Sequence, residues 1–284
     1  MELSVGYDDS PKYLAFLEAV KNGHLEEVEQ HLAEDPDFFL DSPDDAGVSP
    51  LHWAAENGHN SMVELLLQHG SNALNSTDDI GRTPLHHAAW KGCDSTVELL
   101  LQRGSTALVS PPTEHLTPLH WAIFNGCDST VKLLLEHGST LDSSDDNGDT
   151  LLHYAAIYGR DSIMELLLQR GSISLDSTNN EGLTPLHLAA MNGFDSTMEL
   201  LLQRGSTSLV ESSDEGLTPL HLAAMNGFDS TVEILKSVGA TTLSFQKLNP
   251  EQIEKLQAPL PEKKVLGIRF RIYFRRSLLP LLLL

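Results

Sequence analysis

The sequence predicts an all-α fold, a solenoid of stacked helix-turn-helix units joined by hairpin-like loops. A short pattern that begins at Ser49-Pro50-Leu51-His52 recurs at Thr83, Thr117, Thr150, Thr184 and Thr218, at intervals of 34, 34, 33, 34 and 34 residues. Each copy continues with a glycine, an apolar stretch of helical period and a second glycine. One such unit cannot bury its own apolar face, so the copies must stack on one another.

The first half of each unit is predicted to be a short helix. In the copy that begins at Thr83, the threonine is a favourable N-cap, and Pro84 lies in the first turn, where a proline loses no hydrogen bond. Leu85 and Ala88 lie on one narrow apolar stripe with small residues for close approach. Gly92 is expected to end this helix.

The second half of each unit is predicted to be an antiparallel helix. It opens with Asp94 and Ser95, and Ser95 stands three residues before Glu98, which is the spacing of a capping box. Three leucines follow, and Gly104 is expected to end the helix, with Arg103 near its negative end. The connector to the next copy is rich in Ser, Thr, Asp, Asn and Gly, which favours turns over core.

These residues together resemble a known family. The order Thr-Pro-Leu-His-x-Ala-Ala, Gly, Leu-Leu-Leu, Gly, repeated at about 33 residues, is similar to the ankyrin repeat. The resemblance covers residues 11–257, and it departs from the family pattern in two ways. Most copies are 34 residues long, and Glu114-His115 stands where a hairpin glycine is usual. The resemblance implies a module that binds other proteins without catalysis.

The resemblance and the composition together divide the chain into five segments. Residues 1–10 are predicted to be a flexible N-terminus, 11–44 a degenerate capping ankyrin repeat, 45–246 six ankyrin repeats, 247–258 a capping helix, and 259–284 a disordered basic and apolar tail. The capping helix is expected because Asn249-Pro250-Glu251 supplies an N-cap, a first-turn proline and an acidic first turn. Residues 181–197 and 215–231 are identical, which suggests that the number of repeats can vary.

Charge and cysteine content restrict the partner and the compartment. The 284 residues carry a net charge of -22, which disfavours nucleic acid and favours a basic or amphipathic protein or peptide. Two cysteines exclude a disulfide framework, so a cytoplasmic or nuclear protein is expected. Nothing between Met1 and Lys12 looks like a secretory signal. We expect a monomer.

Thirteen histidines raise the question of a metal site. Six of them occupy one repeat position: His52, His86, His120, His153, His187 and His221. Stacked helices lie about 8 to 10 Å apart, too far for two of these imidazoles to share one zinc at about 2.0 Å. The resemblance instead implies that this histidine ties the helix start to neighbouring backbone. Cys93 and Cys127 are expected to be free thiols.

Catalytic motifs are not found in the sequence. It contains neither a Gly-rich phosphate loop, nor a nucleophile elbow, nor a His-Glu-x-x-His motif. We therefore expect no enzymatic activity, no metal and no cofactor.

The resemblance places the partner-binding residues at the ends of the first helices and at the hairpin tips, on a concave face. The helix ends carry Trp90, Lys91, Phe124, Asn125, Ile157, Tyr158, Met191, Asn192, Met225 and Asn226, and the tips carry Asp79, Arg82, Asp146 and Asp149. Trp90 and Tyr158 are the expected hot spots. The alternative is that these apolar groups pack on the neighbouring repeat and that the acidic tips serve solubility. One earlier position on the same helices is assigned mainly to packing, and it is occupied by Trp53, His87, Trp121, Tyr154, Leu188 and Leu222.

The tail leaves three interpretations open. Residues 259–284 hold six basic side chains and one acidic one, interleaved with apolar residues. The tail could attach to an anionic membrane surface, fold back on the acidic groove as a ligand in cis, or be a non-native end that arises from altered splicing or reading frame. The predicted function is accordingly a scaffold or adaptor. The alternatives are a peripheral membrane adaptor and a substrate receptor in a larger signalling or ubiquitin-ligase assembly.

Overall fold

The computed structural model describes residues 11–34, 40–108, 116–171, 173–210, 213–214 and 216–240. In these ranges fourteen α-helices form seven consecutive pairs, as predicted for an all-α repeat solenoid. The first helices are α1 (Pro11–Asn22), α3 (Pro50–Glu56), α5 (Pro84–Lys91), α7 (Pro118–Asn125), α9 (Leu151–Ile157), α11 (Pro185–Asn192) and α13 (Pro219–Met225). The second helices are α2 (Leu25–Glu34), α4 (Asn60–Gln68), α6 (Asp94–Gln102), α8 (Asp128–Glu136), α10 (Asp161–Gln169), α12 (Asp195–Gln203) and α14 (Asp229–Ser237). The predicted N-terminus 1–10, capping helix 247–258 and tail 259–284 lie outside the described residues.

The chain divides into two compact units, Met1–Ser143 and Ser144–Leu284. In the first unit, α1, α3, α5 and α7 pack in that order as neighbours, and α2, α4, α6 and α8 do the same. In the second unit, α9, α11 and α13 form one row and α10, α12 and α14 another. Each unit therefore buries its core between a row of first helices and a row of second helices.

A buried histidine forms hydrogen bonds both at the N-terminus of its own first helix and with the backbone of the next repeat. Nδ1 of His86 accepts the backbone N–H of Thr83 at 3.1 Å, so the ring proton is on Nε2, which donates to the carbonyl of Leu116 at 3.2 Å. His52 and His153 make the same two contacts, and their Nε2 donate to Arg82 and Leu183. Burial lowers the pKa of His52 and His86 to about 3. The expected structural use of this histidine is confirmed at these positions.

The second helices begin two residues earlier than a capping box would require, since such a box makes Ser95 the N-cap of α6. The N-cap of α6 is Cys93, and its carbonyl accepts the N–H of Val97 at 2.9 Å. Gly92, at φ +72°, turns the chain so that Asp94 is already helical. The predicted Ser95–Glu98 capping box is therefore wrong. Asp94 instead accepts a hydrogen bond from Thr130 of the next repeat.

Two glycines at the ends of first helices in the second unit, Gly159 and Gly193, need both a left-handed backbone and an absent side chain. Gly193 has φ +68°, and a Cβ at this position would overlap the ring of Phe228. Gly205 has φ +98°, but no atom lies within 4 Å of the place its Cβ would take. A side chain at either position would be strained by the positive φ, but only at Gly193 would it also clash with a neighbouring residue.

We expect Gly193→Ala to lower the free energy of unfolding by about 1 to 3 kcal/mol more than Gly205→Ala, because only the first adds overpacking to a backbone strain of about 1 kcal/mol. Urea denaturation of both variants measures the difference. An equal decrease in the free energy of unfolding for the two variants would show that Phe228 moves aside at no energetic cost.

Candidate partner-binding face

The residues predicted at the first-helix ends are all at least partly accessible. Trp90, Phe124, Ile157, Tyr158, Met191, Asn192, Met225 and Asn226 are half-buried, and Lys91 and Asn125 are exposed. We call these ten residues the helix-end face, of which four lie in the first unit and six in the second. Partial burial holds such side chains in place while leaving them accessible to a partner.

The asparagines of this face also complete the helix ends. The amides of Asn192 and Asn226 donate to the carbonyls four residues before them, at 2.8 and 2.9 Å. Asn125 donates to the carbonyl of Trp90 in the preceding repeat at 2.6 Å. These residues therefore have a structural role that the sequence analysis did not identify.

Aromatic rings form the centre of the helix-end face in the first unit. Trp121 lies between Trp90 and Phe124, with both ring centroids 6.0 Å away. The Arg82 guanidinium lies 5.9 and 5.8 Å from the centroids of Trp90 and Trp121, and Lys91 Nζ lies 4.7 Å from that of Trp90. Trp121 is only 5% exposed, so its predicted packing role is confirmed, and it supports the two half-buried rings beside it.

A buried ionic network lies under these rings. His87 places Nδ1 2.9 Å from Oε2 of Glu56 and Nε2 3.0 Å from Oδ2 of Asp78. Both ring nitrogens face carboxylate oxygens, and a histidine donates a hydrogen bond from both nitrogens only in its imidazolium form. Arg82 Nε donates to the same Asp78 oxygen at 2.8 Å, and Lys91 Nζ lies 3.2 Å from Oε1 of Glu56.

This network keeps both carboxylates ionised. Burial alone would raise the pKa of Asp78, but the hydrogen bond from His87 and the charge of Arg82 outweigh burial and lower the pKa to about 2. The pKa of Glu56 is lowered for the same reason, through His87 and Lys91. From the sequence His87 was assigned mainly to packing, and its contacts with the two carboxylates were not predicted.

The predicted acidic rim is only partly correct. Asp79 and Asp146 are exposed, as a rim requires. Asp149 is 1% exposed and accepts a hydrogen bond from the Asn179 amide at 2.8 Å, so its placement on an accessible rim is wrong. Arg82 directs its guanidinium to Asp78 and the tryptophan rings instead of to solvent.

A recurring contact between the hairpin and the first helix was also missed. The pairs are Trp53 Nε1 with Asp44 at 3.0 Å, His87 Nε2 with Asp78 at 3.0 Å, and the Tyr154 hydroxyl with Asp145 at 3.0 Å. The other oxygen of each aspartate accepts hairpin backbone N–H groups. Where the helix position is Leu188 or Leu222, the hairpin residue is Asn179 or Ser213. A side chain that can donate a hydrogen bond, placed nine residues after an aspartate, was therefore a pattern from which this contact could have been predicted.

The helix-end face of the second unit is less charged than that of the first. Tyr154 lies below Tyr158, with centroids 6.3 Å apart, and burial raises the pKa of both phenols, which stay neutral. Ile157, Met191 and Met225 continue the face on successive first helices. Its chemistry is therefore apolar and aromatic.

The described ranges contain no group of three or more His, Cys, Asp or Glu placed to hold a metal ion. Their helices are too short or too polar to cross a membrane. Cys93 and Cys127 are free thiols that donate to carbonyls of the preceding repeat, and burial raises the pKa of Cys93.

Comparison with known proteins agrees with this architecture. A family model described as ankyrin repeats matches in three copies, over residues 16–111, 106–178 and 171–244. Chains of solved structures match as well, 614 in all. One is the crystal structure of the human ASB11 ankyrin repeat domain, which is 27% identical, has a TM-score of 0.69, and aligns over 78% of this chain and 96% of that one. No curated protein matches significantly.

Proposed function

Since the chain belongs to the ankyrin-repeat family, whose repeats form protein–protein interaction domains, we propose that it is a non-catalytic scaffold or adaptor that binds a partner protein or peptide on its helix-end face. The observation that carries the proposal is the half-buried state of large apolar side chains at equivalent helix ends. Side chains of this size at a partly solvated position are typical of interface hot spots.

The arrangement of the first unit supports binding with little loss of conformational freedom. Trp90 is held by Trp121, Arg82 and Lys91 before any partner arrives. A pre-organised ring loses little entropy on association, so more of the contact energy contributes to affinity.

The proposed partner carries basic and apolar side chains. A net charge of -22 favours encounter with a basic surface, and exposed Asp79 and Asp146 provide local acidic contacts. A cytoplasmic or nuclear location and a monomeric state remain predictions. The membrane-adaptor and substrate-receptor alternatives remain predictions as well.

Replacing Trp90, Phe124 and Tyr158 together with alanine is expected to reduce partner capture by tenfold or more, because one lost hot spot costs about 2 kcal/mol. Affinity capture from a cell extract, followed by quantitative mass spectrometry, measures the loss. Alanine at Ser95, Ser129 and Ser196, which are exposed on second helices, provides the matched control. Circular dichroism confirms that both variants are folded. Equal capture by the two variants would overturn the proposal.

A further inference from the structure

The helix-end face of the second unit has no charged member. Its six residues are Ile157, Tyr158, Met191, Asn192, Met225 and Asn226, on the neighbouring helices α9, α11 and α13. Methionine side chains are flexible and polarisable, and they suit surfaces that take apolar segments of varied shape. Burial raises the pKa of Tyr158, and the carboxylates of Asp149 and Asp145 add to this rise, whereas the nearby cation Arg160 opposes it.

Exposed carboxylates stand beside this face. The hairpins before α9, α11 and α13 stack, since Asn180 N–H donates to the Asn147 carbonyl at 2.8 Å and Asp214 N–H to the Glu181 carbonyl at 3.1 Å. Stacking places exposed Asp146, Glu181 and Asp214 on consecutive hairpins.

Contacts in the first repeat of this unit connect the hairpins to the face. The Tyr154 hydroxyl bonds Asp145 in the hairpin, and the Tyr154 ring lies beside that of Tyr158. An apolar strip flanked by carboxylates fits a basic, amphipathic segment.

One segment of this chain has that chemistry. Residues 263–276 carry six basic side chains, interleaved with Val265, Leu266, Ile268, Phe270, Ile272, Tyr273 and Phe274. They lie outside the described residues. Residues 241–262 connect them to the end of the last described repeat, and a chain of this length spans at most about 80 Å. The first helices of three stacked repeats cover only about 20 to 30 Å.

We propose that residues 263–276 bind in cis to the helix-end face of the second unit. Tethering gives such a segment an effective concentration near the millimolar range, so modest intrinsic affinity suffices. The consequence for function is autoinhibition, because the tail occupies the surface that a partner of the same chemistry needs. Only this competition rests on the proposed function, whereas cis binding is measurable without a partner.

Oxidation of Met191 and Met225 by hydrogen peroxide in the full chain tests the proposal. In a variant with Lys263, Lys264, Arg269, Arg271, Arg275 and Arg276 all replaced by glutamate, we expect both residues to oxidise at least threefold faster than in the wild type at low salt. Met62, Met164 and Met198, which are at most 1% exposed, report any general loosening of the fold. Peptide mass spectrometry gives all five rates.

Charge exchange provides the second arm. Replacing the exposed Asp146, Glu181 and Asp214 with lysine should also accelerate oxidation, and combining these changes with the glutamate tail should restore slow rates. Unchanged Met191 and Met225 rates in every variant would overturn the proposal. If these rates are unchanged and the chain sediments with phosphatidylserine vesicles only when the tail is basic, the tail binds membranes and the proposal is overturned. Partner capture that needs Tyr158 while the methionine rates ignore the tail would remove cis binding and leave the proposed function intact.

Discussion

Acidification from pH 7 to pH 5 is expected to remove most of the protein's stability. The reason is a set of histidines buried in the neutral form. Burial lowers the pKa of His52, His86 and His120 to about 3, and that of His153 to about 4. In the unfolded chain each titrates near 6.5, so the unfolded state binds more protons below that pH. Stability is therefore complete above pH 6.5 and falls as the pH approaches 4.

The size of this effect follows from the number of groups. Each proton contributes about 1.4 kcal/mol per pH unit, so four histidines together contribute roughly 5 kcal/mol per unit between pH 6 and 4. A typical stability of about 5 to 15 kcal/mol would be lost within that window. The lowered pKa values of Asp78 and Glu56 act at lower pH, where protonation of these carboxylates removes further stability.

Urea denaturation at pH 7.5, 6.5, 5.5 and 5.0 measures this dependence. His86→Gln should reduce the dependence of the free energy of unfolding on pH by the contribution of about one proton. A free energy of unfolding that is constant from pH 7 to pH 5 would contradict the neutral, buried state of these histidines.

His87→Leu is expected to cost about 3 to 5 kcal/mol. The leucine would leave Glu56 and Asp78 without the cation that bonds both, and the side chains of these carboxylates are only 12% and 1% exposed. Breaking a buried ion pair on one side is costly, whereas replacing all its members is much less so.

The chain offers a matched control for this prediction. In the sixth helix pair, the position of His87 is Leu188 and the position of Asp78 is Asn179. The triple variant His87→Leu, Asp78→Asn, Glu56→Gln should therefore recover most of the stability lost by His87→Leu alone. Thermal and urea unfolding of the single and triple variants measure the recovery. Equal destabilisation of both would contradict the ionic account, and the cause would then be lost packing.

The helices could be predicted from the sequence because their signals are local and repeated. Threonine, proline and glycine at fixed positions specify the start and end of each first helix. The Ser95–Glu98 capping box was wrong although its local pattern is correct, because Gly92 places the N-cap at Cys93, two residues before Ser95.

The accessible part of the candidate site was predictable for the same reason, since helix ends recur with the period. The buried network was not, because His87 meets Glu56 and Asp78, which are 31 and 9 residues away in sequence. The burial of Asp149 likewise depends on Asn179 of the following hairpin. Such contacts depend on how one repeat stacks on the next.

Site-specific photo-cross-linking tests the central claim most directly. A benzophenone amino acid is placed at Asn125 or Met191 on the helix-end face, and at Ser129 or Ser196 on the second helix of the same repeat. We expect one partner protein to be cross-linked from the first two positions and not from the last two. Cross-links to that partner from Ser129 and Ser196 alone would contradict the account and place the binding surface on the second helices.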